Sequence, residues 1–353
     1  MHRRSGSAAI ALLAALALAG CSATQSSVID ESVVDVGLDV AYTGVGPFAP
    51  EATAADTLVG AATLAGFSYA DADGASIADP GFGAVAVVGD DPLTVRFTVA
   101  DGLAWSDGVG IDGVDLLLDW AARAEPFAGA SFGATPDAAL AGVADVRLSA
   151  DRKSVDVELS SAGQSWREAF RAPLPAHALA ERAFGSSSPE AAKDDVIAAI
   201  AAAEDGDAAG LAKLARAWRE AFAPGSDPLP ASGPYRLAAV EADRVELVVN
   251  DAYTGPRAPT FERIELHELT TAADAVQALS IGALDLVQVA WSESLRGVLG
   301  SIGADRREIP EGDAPTTLVG WFHRLIDHVD PAADGRGALW NPWAWAPYSL
   351  VEG

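Results

Sequence analysis

The chain has 353 residues, 50 Asp and Glu against 23 Lys and Arg, a formal charge of −27 at pH 7, and one cysteine. So acidic a surface repels phosphate backbones and excludes nucleic acid as a partner, while a lone cysteine excludes an internal disulfide and a thiolate metal site. The length is enough to bury substantial cores without covalent staples, and it predicts two domains or lobes.

The chain opens with two arginines, Arg3 and Arg4, and turns apolar over residues 8–19. Small residues follow, which completes the pattern of a secretory signal. The apolar run is shorter than the roughly 20 residues a membrane span needs. Leu18-Ala19-Gly20-Cys21 resembles the lipobox of bacterial lipoproteins. That resemblance implies cleavage before Cys21 and a lipid on its thiol, so residues 1–20 are read as a signal peptide. Residues 21–30 are read as a lipidated tether, polar over 22–27. The exported remainder carries 50 acidic and 21 basic side chains, a formal charge of −29. Such a surface suits solubility, and it reads as a solvated acidic face in preference to a site for cationic ligands.

Residues 33–42 (VVDVGLDVAY) alternate as a strand does. Asp71-Ala72-Asp73-Gly74 has a hint of a calcium loop, but its glycine comes early and Phe82 stands where the bidentate glutamate belongs, so it reads as a polar turn. Residues 93–99 alternate cleanly, as a half-buried antiparallel strand does. Trp105-Ser106-Asp107-Gly108 follows, with Trp105 read as a core anchor and Asp107-Gly108 as a turn. Residues 108–113 (GVGIDG) match the glycine spacing of a dinucleotide loop. The preceding strand is apolar on one face only, however, and Trp105-Ser106-Asp107 intervenes, so a turn into a helix over 113–123 is the better reading. A hairpin is expected over 146–159, and two Ala-rich helices over 189–222, broken at Asp205-Gly206-Asp207. Strands return at 235–240, 244–249 and 261–269, then a helix at 272–280 and a strand at 284–289. The mixture is an α+β (mixed α/β) arrangement.

Catalytic constellations are scarce. After the leader only His177, His267, His323 and His328 remain, none in a His-Glu-x-x-His pattern, and there is no Gly-x-Ser-x-Gly elbow. No enzyme activity, metal site or cofactor is expected from these residues.

Residues 91–108 (DPLTVRFTVADGLAWSDG), with Asp115-Leu116 in the following helix, resemble the signature of family 5 solute-binding proteins, the peptide-type receptors of ABC importers. Further matches follow in the family's order. Residues 173–179 (PLPAHAL) resemble the segment before its helical region. Ser232-Gly233-Pro234-Tyr235 resembles a strand opening, and residues 275–287 resemble a helix–strand unit. The resemblance covers about residues 30–295. It implies a type II periplasmic-binding-protein-like lobe with a β-rich subdomain. On that reading residues 31–60 and 160–295 form the first lobe, residues 61–159 the β-rich subdomain, and 296–353 a divergent tail.

The resemblance also implies a lipid-anchored receptor outside the membrane that passes an oligopeptide or similar small solute to ABC permease subunits. The loop Tyr42-Thr43-Gly44 and the crossover Trp291-Ser292 are expected to border the ligand cleft. Trp105, Gly233 and Pro234 are assigned to structure. Family members usually continue for about two hundred residues more, so the second lobe is expected to be missing and the tail after about Thr316 poorly packed. Trp321, Trp340, Trp343 and Trp345 crowd that tail. It reads either as an aromatic-rich ending or as the product of a truncation or frame shift.

Overall fold

A computed structural model describes residues 28–321, apart from 71–75, 141, 161–165, 223–224, 242, 257–258, 260 and 312–313. Cys21, the signal peptide and the tether up to residue 27 lie outside the described residues, as do the segment after Trp321 and the turn at Asp71. No helix among the described residues is long and apolar enough to cross a membrane.

The elements run β1 (Ile29–Leu38), α1 (Ala54–Thr63), β2 (Ser68–Ala70), β3 (Ser76–Ala78), β4 (Gly83–Asp90), β5 (Leu93–Val99), α2 (Gly113–Arg123), β6 (Val143–Leu148), β7 (Ser154–Leu159), α3 (Ala176–Phe184), α4 (Pro189–Glu204) and α5 (Ala209–Glu220). Then come β8 (Tyr235–Val240), β9 (Arg244–Val249), β10 (Phe261–Glu268), α6 (Ala272–Ile281), β11 (Leu286–Ala290), α7 (Glu293–Ser301), β12 (Asp305–Glu311) and β13 (Ala314–Trp321). A seven-stranded sheet has the order β12-β13-β11-β1-β10-β9-β8, and a four-stranded sheet the order β4-β5-β7-β6. β1 lies at the centre of the larger sheet, parallel to both β10 and β11, and the hairpins on either side are antiparallel.

Side-chain alternation divides the larger sheet between two cores. Val34, Val36, Leu38, Ile264, Leu266 and Leu247 pack under α1 on one face. Val287, Val289 and Leu318 pack with Leu279 and Leu299 of α6 and α7 on the other. The third core joins Val95, Phe97, Val155 and Val157 of the smaller sheet to α2 and to α3–α5. The helices 176–220 thus share their core with the β-rich sheet and not with the seven-stranded one.

Local chemistry explains the helix starts. α2 begins with a capping box. Asp112 accepts from the amide of Val114, and Asp115 accepts from the amide of Asp112 (both 2.9 Å). The buried Lys193 then sits 3.0 Å from both carboxylates. The helix N-terminus that a nucleotide phosphate would need is therefore filled by this chain's own acids. Gly113 is required because a Cβ there would meet the Arg152 carbonyl at 2.9 Å. α1 begins with a second capping box, Thr53 with Asp56.

The expectation of a poorly packed tail after about Thr316 is corrected for residues 317–321, and the rest of that tail lies outside the described residues. β13 pairs with both β11 and β12, and Leu318 and Val319 are fully buried. This short stretch extends the sheet, with Leu318 in the core beside α7 and Val319 in the core under α1.

Candidate functional site

The carboxyl ends of β1 and β11 lie side by side. The Asp39 amide donates to the Gln288 carbonyl (3.4 Å), and the Asp39 carboxylate accepts from the Ala290 amide. The two segments expected to border a cleft, Tyr42-Thr43-Gly44 and Trp291-Ser292, therefore leave the same end of the sheet. Their roles then diverge.

Asp56 is the hub of the first segment. It is 1% exposed, yet its two oxygens accept from five donors: the Thr43 amide (3.0 Å) and hydroxyl (2.8 Å), the Gly44 amide (3.0 Å), and the Thr53 amide (2.9 Å) and hydroxyl (2.8 Å). A buried carboxylate is tolerable when its lone pairs are satisfied in this way. Gly44 has φ +70°, and a Cβ there would lie 2.2 Å from the Phe222 carbonyl. The loop is thus held between α1 and the end of α5. Burial, with the Asp56 charge adding to it, pushes the Tyr42 hydroxyl up to about 12, so it stays protonated and is a donor.

A hollow of ≈ 280 Å³ opens beside this loop, lined by Tyr42, Thr43, Phe222, Ser226, Leu237 and Glu241 among others. It narrows into an apolar recess of ≈ 40 Å³ between Val59, Leu64, Trp218 and Leu229. Trp291 and Ser292 do not line it. Ser292 caps α7 by accepting from the Leu295 amide (3.1 Å). Trp291 packs against the α6–α7 core, and its indole N–H has no partner among the described residues. Asp56, Phe222 and Leu237 were not singled out from sequence. The spacing Thr53-x-x-Asp56 was the available signal for the first of them.

The motif residues occupy the junction between the two sheets. Trp105 is fully buried and Gly108 turns the chain at φ +87°. Asp107 accepts from the Val109 amide (3.1 Å) and pairs with the buried His177 (2.8 Å). The Ser106 amide donates to the Ala231 carbonyl (2.8 Å). Beside it, the amides of Ser232 and Gly233 donate to the Thr63 carbonyl (3.0 and 2.9 Å), and the Pro234 carbonyl accepts from the Asn250 amide (3.0 Å). Tyr235 is buried and donates to the Phe261 carbonyl (3.1 Å).

One group has the composition of a metal site. Asp35, Glu265 and His267 place ligand atoms within 4.8 Å of one another on the polar face of β1 and β10. His267 is 2.7 Å from Asp35, and Arg244 is 2.8 Å from Glu265. The group is therefore already occupied by hydrogen bonds within itself and to Arg244.

The fold recurs in solved structures of low sequence identity. A periplasmic EDTA-binding protein, EppA, superposes with a TM-score of 0.62 at 16% identity, over 79% of this chain and 48% of that one. The oligopeptide-binding protein AppA of Bacillus subtilis, in complex with a nonapeptide, gives 0.54 at 13% identity, over 78% and 47%. Among curated proteins, uncharacterized lipoproteins of Mycobacterium tuberculosis and Mycobacterium leprae are 31% identical, over 80% of this chain and 49% of their own length. The chain thus spans about half the length of the curated relatives it matches. The family model for the bacterial extracellular solute-binding proteins, family 5 Middle, matches residues 84–312, past the boundary near 295 expected from sequence. The junction at Trp105–Gly108, the mixed seven-stranded sheet with its antiparallel four-stranded companion and that match agree: the chain belongs to the bacterial extracellular solute-binding proteins, family 5.

Proposed function

We propose that this chain is the substrate-binding lipoprotein of an ABC importer, that it takes peptides or similar small solutes outside the membrane, and that it hands them to a permease without breaking a bond. The observation that carries the reading is the Asp56-pinned loop Tyr42-Thr43-Gly44 beside an open hollow, on a family 5 fold. A loop held by three hydrogen bonds to one buried carboxylate is preorganised, which lowers the ordering cost of binding. The nonapeptide in AppA supports a peptide as the solute. The lipobox at Cys21 and the lipoprotein relatives support an anchor on the outer side of the membrane.

A second reading rests on length. The chain spans about half the length of its curated relatives, and the family resemblance implies a cleft between two lobes, so on this reading the chain supplies one wall of that cleft. Micromolar affinity needs about 8 kcal/mol of net binding energy. Polar contacts left facing water contribute only about 0.5–1.5 kcal/mol each. The 353-residue chain alone is then a weak binder, at most a surface interaction protein.

Two measurements test these readings. Calorimetry with a mixed peptide library should give weak heats for this chain. A dissociation constant at or below micromolar would overturn the second reading and strengthen the first. Metabolic lipid labelling should mark the wild type and not Cys21→Ala, and equal labelling would remove the anchor.

A further inference from the structure

Resting on the solute-binding reading above, we infer that the hollow beside Tyr42 takes an uncharged apolar group of the solute, a ring or a branched aliphatic side chain, and rejects charged groups.

The size of the hollow comes first. At ≈ 280 Å³ it lies below the roughly 300–1,000 Å³ of sites that enclose a whole ligand. It fits one group of a larger solute.

The wall chemistry comes second. One carboxylate, Glu241, lines the hollow, and Asp56 lines the recess behind it. Asp56 is buried and already accepts from the Thr43, Gly44 and Thr53 donors. Glu241 is exposed and paired with Arg244 at 2.8 Å. An ammonium entering here gains at most a solvent-exposed pair with a carboxylate that already has a cation, which offsets little of the hydration it loses. No Lys, Arg or His is among the described residues of the wall, so a carboxylate entering here finds no cation and meets the field of a strongly acidic chain.

What the wall does offer is apolar. Phe222, Leu237, Pro228 and Val240 line the hollow, and the recess behind it is closed by Trp218 and Leu229. Burying an apolar group against such a wall is favourable by roughly 25 cal/mol per Å². The polar groups left at the mouth, the Tyr42 and Ser226 hydroxyls, suit an amide or carbonyl next to the apolar group.

A neighbouring hollow sharpens the contrast. It shares Ala221, Gly225 and Ser226 with this one but carries Arg182, Lys213 and Arg216 on its far wall. Glu220 and Asp227 line that hollow too, so it is a mixed-charge surface, unlike the wall beside Tyr42, which has no cation among its described residues.

The test uses the full chain and three probes with a common phenyl ring: N-acetyl-phenylalaninamide (neutral), 3-phenylpropionate (anionic) and phenethylammonium (cationic). Ring proton signals of Tyr42 and Phe222 are followed by NMR at millimolar probe. The neutral probe should shift both signals and bind at least about tenfold more tightly than either ion, a difference of about 1.4 kcal/mol. Phe222→Ala should weaken it, and Leu237→Arg should transfer the preference to phenylpropionate. An ion that binds as tightly as the neutral probe, or a neutral probe that leaves both rings unshifted, overturns the inference. Peptide heats report separately on the function. A chain that binds peptide while Tyr42 and Phe222 stay unshifted remains a solute receptor and loses only this assignment.

Discussion

Ser106 and Ala231, 125 positions apart, exchange two hydrogen bonds: the Ser106 amide donates to the Ala231 carbonyl at 2.8 Å, and the Ala231 amide donates to the Ser106 hydroxyl at 3.0 Å. This reciprocal pair joins two sequence motifs into one strut. Trp105-Ser106-Asp107-Gly108 leads out of the four-stranded sheet, and Gly233-Pro234-Tyr235 leads into the seven-stranded one. The pair ties together the chain leaving one sheet and the chain entering the other.

Gly233→Ala should strain the strut. A Cβ at 233 would lie 2.5 Å from the Ala62 carbonyl oxygen and 2.8 Å from the Leu64 amide nitrogen, both backbone atoms. Overpacking against backbone typically costs about 1–3 kcal/mol. A chemical-denaturation midpoint equal to that of the wild type would show that the junction yields without cost.

Trp105→Ala removes a large, fully buried side chain beside His177, whose ring centroid is 6.3 Å from that of Trp105. Such a truncation in a core costs about 3–5 kcal/mol. Thermal melting should fall by several degrees, and an unchanged melting temperature contradicts a structural role.

Asp56→Ala leaves the Thr43, Gly44 and Thr53 donors without their acceptor. Leaving buried donors unpaired costs about 1–3 kcal/mol each where water cannot reach them. The loop should loosen as well, so amide hydrogen exchange at Thr43 and Gly44 should quicken more than exchange in β1. Equal protection before and after substitution would mean that the loop is held by something else.

Asp285→Asn tests a pH dependence. Burial, with the nearby Asp35 charge adding to it, raises the Asp285 carboxyl from 3.8 to about 6, although its hydrogen bond from the Asp35 amide (2.9 Å) acts the other way. The folded state thus binds this proton more tightly than the unfolded state does. Its contribution to stability is complete below about pH 4 and is lost as pH rises through about 6. The full shift corresponds to about 3 kcal/mol, and partial exposure reduces this to about 1–2 kcal/mol. Asparagine accepts the same Asp35 bond and carries no charge. The variant should therefore match the wild type near pH 4 and exceed it at pH 7 in urea unfolding. Asp119, also raised to about 6, titrates in both proteins and cancels in the difference. A constant gap across that pH range would contradict the assignment.

Where periodicity and capping agree, sequence and structure coincide. β5 and α2 span the residues read from alternation and from the helical face, and the break between α4 and α5 falls at Asp205–Asp207. α1 was missed although its apolar residues recur at helical spacing behind Thr53-x-x-Asp56. α7 was missed because its cap, Ser292, was read as a cleft residue. β12 and β13 were hidden by Pro310 and Pro315, which stand opposite each other where the hairpin register shifts.

By itself the sequence determined the acidic composition, the family signature at Trp105–Gly108 and most elements of both sheets, because these depend on composition, on periods of two and 3.6, and on turn residues read locally. Only the tertiary structure decided that Tyr42-Thr43-Gly44 lines a hollow while Trp291-Ser292 does not, that Asp56 pins the loop, and that Glu241 is paired with Arg244. Those facts depend on which donors and carbonyls from distant segments reach one carboxylate, and only the packed chain brings them within 3 Å of each other.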